Sequence, residues 1–138
     1  MPPITFFVFA SAFVIGVLSL AHLFFTFHGN KFDPRDAALT AALQQVSPVI
    51  SPETTMARAA TGFHASHSLG ALLFALVFGY LALCQGELLQ QSGFLRGLGM
   101  AVLLAYLALA QRYWFSVPLM GIGFATALYA VGLLESLL

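Results

Sequence analysis

Four long apolar runs constrain the fold of this sequence more than any other feature it contains. They cover about residues 4–27, 61–84, 94–112 and 115–136. Each run approaches the ~20 residues that a helix needs to cross a hydrocarbon core of ~30 Å. Because backbone groups in lipid must be satisfied within the segment, we expect each run to be a helix. The sequence therefore predicts an all-α fold, an integral membrane four-helix bundle that forms a single transmembrane domain over residues 1–138.

The scarcity of charge agrees with membrane lipid as a partner and excludes other classes of protein. Only 7% of the 138 residues are charged, five of them basic and five acidic, so the formal net charge is zero. A soluble domain carries about 25% charged residues, which excludes a water-soluble fold. A nucleic-acid partner is excluded because the sequence has no basic patch. The single cysteine, Cys84, excludes a disulfide framework, and we expect it to be a buried, unreactive thiol.

The connection between the first two runs carries start signals for helices. Asp33-Pro34 has the residue types of an N-cap and a first helical position. Apolar residues then recur at helical spacing, at Leu39, Ala42, Leu43 and Val46. We therefore predict a short amphipathic helix over about residues 34–46, lying on the membrane surface or capping the bundle. Ser51-Pro52-Glu53 is a second start signal, from which a helix is expected to run straight into the second span.

Basic residues are distributed unevenly between the two sides of a four-span topology. Loops one and three together hold Lys31, Arg35, Arg58 and Arg112, whereas the opposite side holds Arg96 alone. Loops rich in lysine and arginine stay in the cytoplasm. We therefore expect loops one and three to be cytoplasmic and both termini to lie outside.

Small residues recur on each span and predict where the helices meet. Steps of three and four residues place such residues on one helix face, and close backbone approach in lipid favours small side chains at helix contacts. The predicted contact faces are Ala12, Gly16 and Ser19 on the first span, Ala71, Ala75, Gly79 and Ala82 on the second, Gly97, Ala101, Ala105 and Ala108 on the third, and Gly121, Ala125, Tyr129 and Gly132 on the fourth.

The polar residues of these faces gather toward the side of loops one and three. All four histidines, His22, His28, His64 and His67, lie near that side. Ionisable groups near or inside a membrane usually face the bundle interior and often mark a site. The sequence therefore predicts a polar, histidine-containing pocket at one membrane face. Its candidate ligand-binding residues are His22, Thr26, His64, His67, Ser68, Arg112 and Tyr113.

Three functions fit this pattern of residues. The first is binding of a small amphiphilic or lipid-like ligand, with histidine as the proton carrier if a reaction occurs. The second is a non-catalytic structural or accessory subunit of a membrane complex or a homo-oligomer, which the small-residue faces suit equally well. The third is a haem- or metal-binding membrane protein, in which His22 and His67 are the ligands. The pattern assigns no cofactor and leaves catalysis open.

Several stretches resemble a family of small bacterial membrane proteins with four predicted spans. They are residues 21–23, 31–36, 47–56, 62–70 and 112–115, with Ser-Pro-Val-Ile-Ser-Pro-Glu-Thr-Thr-Met and Arg-Tyr-Trp-Phe among them. The family is described as uncharacterised, so the resemblance implies a four-span architecture in a bacterial inner (cytoplasmic) membrane, and no activity. The family pattern has tryptophan and asparagine where this sequence has Ala57 and His64. The resemblance therefore favours His22 and His67 as ligands and weakens a three-histidine metal site.

Overall fold

The computed structural model describes residues 3–135, which form six helices. They are α1 (Pro3–Phe27), α2 (Ala37–Leu43), α3 (Met56–Cys84), α4 (Gly86–Gln91), α5 (Gly93–Tyr113) and α6 (Ser116–Glu135). No strand occurs in this range. The helices α1, α3, α5 and α6 are long and apolar enough to cross a membrane. The all-α fold with four such helices and a short helix between the first two is thus confirmed, while the predicted end of the last span at residue 136 lies outside the described residues.

Helix α2 is shorter than the predicted amphipathic helix over residues 34–46. Its N-cap is Asp36 rather than Asp33, because the Asp36 carboxylate accepts hydrogen bonds from the amides of Ala38 at 2.8 Å and Leu39 at 3.3 Å. A side chain that pairs with first-turn amides fixes where a helix starts. The prediction was therefore right about a helix in this connection and wrong about its bounds.

Helix α3 begins at Met56, so the predicted start at Ser51-Pro52-Glu53 is wrong. The Ser51 hydroxyl accepts a hydrogen bond from the Glu53 amide at 3.2 Å, which makes a local turn instead of a helix cap. The helix is capped by Thr55, whose Oγ1 accepts a hydrogen bond from the Arg58 amide at 3.3 Å. At the other end of α3, Cys84 is exposed. The expectation of a buried thiol was therefore wrong.

The chain divides into two compact units, which we describe separately. The first, here called the core unit, contains the described residues up to 18 and those from 71 onward; the second, the histidine unit, contains residues 19–70. Helices α1 and α3 each contribute residues to both units. The predicted single transmembrane domain stays a prediction.

In the core unit, small residues let α1, α3 and α6 approach one another as their predicted faces require. Ala12, Ala75, Ala82 and Ala125 are buried. A Cβ atom added to Gly16 would lie 3.4 Å from the Cβ of Ala75 and one added to Gly132 would lie 2.9 Å from the Cβ of Phe7. The predicted contact faces of these three helices are confirmed.

The predicted contact face of α5 is wrong. Its small residues Gly97, Ala101, Ala105 and Ala108 are all exposed, and the buried residues of α5 are Gly99, Leu103 and Ala110. The large side chain of Tyr129, which is 0% exposed, explains the difference. Its hydroxyl donates a hydrogen bond to the Arg96 carbonyl oxygen at 3.3 Å, and only a residue without a side chain fits beside its ring, as Gly99 does.

Candidate functional site

Three histidines lie together in the histidine unit, one from α1 and two from α3. The Nε2 atom of His22 lies 3.2 Å from the Nδ1 atom of His64, which is a hydrogen-bond distance. The ring centroid of His22 lies 5.3 Å from that of His64 and 5.3 Å from that of His67. His64 and His67 are three residues apart on α3, a spacing that places both on one side of the helix. We call His22, His64 and His67 the histidine cluster.

An aromatic ring covers two members of the histidine cluster. Phe32 stacks on His22 with ring centroids 4.5 Å apart, and it stacks on His64 at 4.5 Å with an angle of 14° between the rings. The chain reaches this position because Gly29, at φ 87°, ends α1 in the left-handed conformation that glycine adopts without strain. Phe32 then folds back against the helix that it follows. The sequence reasoning missed Phe32, although a single aromatic residue in a polar connection was a signal.

The two predicted hydroxyl groups pair with helix backbone. Thr26 Oγ1 donates to the His22 carbonyl oxygen at 2.8 Å, and Ser68 Oγ donates to the His64 carbonyl oxygen at 2.9 Å. Ser68 is also 1% exposed. Each hydroxyl therefore donates its hydrogen bond to the backbone of a cluster histidine. It could only accept a hydrogen bond from a ligand.

His28, which was not among the predicted ligand-binding residues, lies outside the histidine cluster. Its ring stacks on Phe24 at 4.5 Å, and its Nδ1 atom lies 3.1 Å from the Phe24 carbonyl oxygen. The side chain is exposed. These local contacts hold His28 against the last turn of its own helix, and they make it a natural control for experiments on the cluster.

Arg112 and Tyr113 belong to the core unit and form the last turn of α5. Both side chains are exposed, and the Arg112 guanidinium lies 5.9 Å from the centre of the Tyr113 ring. This contact is typical of a cation over an aromatic face. The predicted role of both residues in ligand binding stays a prediction.

The chemistry available in the histidine cluster is hydrogen bonding and proton transfer through imidazole. The bond between His22 and His64 uses one nitrogen of each ring, so one ring donates and the other accepts. The second nitrogens, Nδ1 of His22 and Nε2 of His64, have no hydrogen-bond partner within residues 3–135. No group of three or more His, Cys, Asp or Glu side chains in the same range is arranged to hold a metal ion. The cluster thus offers two half-buried imidazole nitrogens to a ligand.

The four long apolar helices define a multi-pass membrane protein. Comparison of the chain with protein-family models, curated proteins and solved structures finds no match. The histidine cluster and its aromatic cover are the distinctive features of the candidate site.

Proposed function

We propose that the histidine cluster binds a small amphiphilic or lipid-like ligand at one face of a bacterial inner membrane. The observation that carries this proposal is the His22–His64 contact of 3.2 Å under the ring of Phe32. The arrangement joins hydrogen-bonding groups to an apolar surface within one site. Ligands with a polar head and an apolar body fit such a combination.

The depth of the cluster along the helices supports a ligand that lies at the boundary between headgroups and acyl chains. His22 precedes the end of α1 by five residues, and His64 follows the start of α3 by eight. At 1.5 Å per residue, these positions lie about 8 and about 12 Å from the helix ends. Polar side chains at such a depth are costly unless they serve a contact. The ligand's polar head would therefore meet the imidazoles, while its apolar part would extend along the spans.

The basic residues support an assignment of the site to one side of the membrane. Lys31 and Arg35 lie in the connection between α1 and α2, and Arg58 lies in the first turn of α3. Basic residues at a cytoplasmic surface attract anionic lipid headgroups. We therefore place the ligand site and loops one and three in the cytoplasmic half of the membrane, with both termini outside.

Mass spectrometry of the purified protein tests this proposal. Native spectra in detergent identify lipid or quinone that remains bound to the unaltered chain. We expect the bound species to be lost in His22→Ala and His67→Ala. His28→Ala is the matched control, because this histidine stacks on Phe24 outside the cluster, and it should keep the ligand. Equal ligand content in all four proteins would overturn the proposal.

A second function, as an accessory subunit or homo-oligomer, is favoured by one observation on α5. Gly97, Ala101, Ala105 and Ala108 form an exposed line of small residues on a helix that is apolar enough to span a membrane. Small residues at spacings of three and four let another helix approach closely. Ala101→Leu and Ala105→Leu should then shift the mass of the protein in detergent toward the monomer, whereas Leu73→Ala, at an exposed leucine on α3, should not.

A further inference from the structure

The connection between α2 and α3 presents two apolar side chains at the tip of a turn. The Ser51 amide donates a hydrogen bond to the Pro48 carbonyl oxygen at 3.2 Å, which closes the turn. Val49 and Ile50 occupy its two central positions. Their side chains are 108% and 93% exposed, the highest values among the large hydrophobic side chains of the described residues.

Turn formation does not account for these two residues. The central positions of turns favour glycine, proline, asparagine, aspartate and serine, each for a local conformational reason. Val49 and Ile50 are branched at Cβ and supply none of these properties. Adjacent exposed apolar side chains of this kind are expected where a protein meets an apolar partner.

The surrounding loop holds the tip in a defined position. The Met56 amide donates a hydrogen bond to the Val46 carbonyl oxygen at 2.8 Å, so the start of α3 is joined to the chain that precedes the turn. Pro48 and Pro52 fix the φ angle on either side of Val49 and Ile50. The two side chains therefore project from a closed loop over residues 46–56.

The position and composition of this segment indicate a bilayer as the partner. The end of α1 and the start of α3 lie side by side, because His22 and His64 are in contact. Both helices are apolar enough to span a membrane, so the connection between them begins and ends at the same membrane face. None of the residues from 37 to 52 is charged, and none of those in α2 is buried. Lipid accepts such an uncharged, apolar segment at its surface.

A protein partner fits the tip less well. A stable protein interface buries about 800 Å² on each side, which is far more than two side chains on one turn present. We infer that Val49 and Ile50 insert into the interfacial layer of the bilayer that the protein spans. Because unpaired peptide groups are costly in hydrocarbon, the backbone of the turn stays among the headgroups and only the side chains reach the acyl chains. This inference is independent of the proposed ligand.

Fluorescence quenching in vesicles tests the insertion. In a Cys84→Ser background, Ile50→Cys is labelled with the environment-sensitive fluorophore nitrobenzoxadiazole and reconstituted into phosphatidylcholine vesicles. Glu53→Cys is the matched control, since it lies three residues further along the same loop and carries an exposed charge in the native chain. We expect blue-shifted emission at position 50, strong quenching by lipids brominated near the top of the acyl chain, and protection from aqueous iodide. Position 53 should show the reverse.

Two results would overturn the inference. Iodide quenching at position 50 equal to that at position 53 would place the tip in water. Protection of position 50 from both quenchers would show that protein, either a second copy or another part of the chain, covers the tip. The side chain of Ile50 is almost fully exposed, so its replacement removes little packing and the labelled protein should keep its fold.

Discussion

Tyr129 shows how one buried side chain decides which face of a neighbouring helix turns inward. Its ring meets Phe78 edge to face at 5.9 Å, and its hydroxyl pairs with the Arg96 carbonyl oxygen. A buried hydroxyl without a partner is costly, so this hydrogen bond fixes the tyrosine in place. The tyrosine in turn requires Gly99 on α5, where an added Cβ atom would lie 2.7 Å from Phe78 Cε1.

We expect Gly99→Ala to destabilise the protein by ~1–3 kcal/mol, because the added methyl group overlaps Tyr129 and Phe78 in a packed interior. The free energy of unfolding in bicelles, measured by titration with denaturing detergent, checks this value. Gly97→Ala is the matched control on the same helix, since an added Cβ there would meet no described atom within 4 Å apart from its chain neighbours and the nearby backbone of α5. That control should be neutral or slightly stabilising, because alanine favours helices more than glycine does. Equal effects at both positions would contradict the packing argument.

Phe32 should control how accessible the histidine cluster is. Its ring lies 4.5 Å from the rings of both His22 and His64, so its removal opens one side of the cluster. We expect Phe32→Ala to increase the rate at which diethyl pyrocarbonate modifies these two histidines, as measured by peptide mass spectrometry. His28 provides an internal control, because its exposed ring stacks on Phe24 and its rate should not change. An unchanged rate at His22 and His64 would show that Phe32 does not shield them.

At the scale of single residues, the sequence predicted part of the candidate site. Helical spacing placed His64 and His67 on one side of α3, and the order of the spans brought His22 to the same side of the membrane. Neither rule describes a loop, so Phe32 could not be assigned to the cluster. The sequence placed His28 near the same side, and its ring lies outside the cluster because of local contacts. A ring at the end of a helix can pair with its own last turn, as His28 does with the Phe24 carbonyl oxygen at 3.1 Å.

At the scale of the helices, the sequence predicted the presence of the four long helices more securely than the residues at which helices begin and end. The long apolar runs left no alternative to helices, because lipid offers no partners for peptide groups. Capping signals were ambiguous, since Asp33, Asp36, Ser51 and Thr55 all have suitable side chains. Asp36 and Thr55 cap because their oxygens reach amides two or three residues ahead that already lie in a helical turn. That geometry depends on the fold of the whole connection.

Thr55 should stabilise the first turn of α3. We expect Thr55→Ala to cost about 1 kcal/mol locally, which corresponds to roughly five-fold faster hydrogen exchange of the Arg58 amide. Ser51→Ala is the matched control, because its hydroxyl pairs with the Glu53 amide outside α3. Residue-resolved exchange in micelles measures both variants. Faster exchange at Arg58 in Ser51→Ala as well would show that the first turn depends on the whole loop.

For the whole molecule, composition was enough to predict the class of protein and insufficient to predict its internal packing. Ten charged residues in 138 cannot cover a water-soluble fold, and the four long helices agree with that deduction. The prediction of helix contact faces from small residues was confirmed for α1, α3 and α6 and was wrong for α5. It considers one helix at a time, whereas the face that α5 buries is set by Tyr129 on α6.

The orientation of the chain in the membrane can be tested at the two ends of α3. With loop one in the cytoplasm, Glu53 lies inside, and Cys84 and Glu87 lie on the outer side after one crossing. A membrane-impermeant maleimide should therefore label Glu87→Cys on intact spheroplasts, whereas Glu53→Cys should be labelled only after permeabilisation, both in a Cys84→Ser background. The native Cys84 is exposed and should behave like position 87. The reverse pattern would place loop one outside and show that four basic residues against one do not set the orientation of this protein.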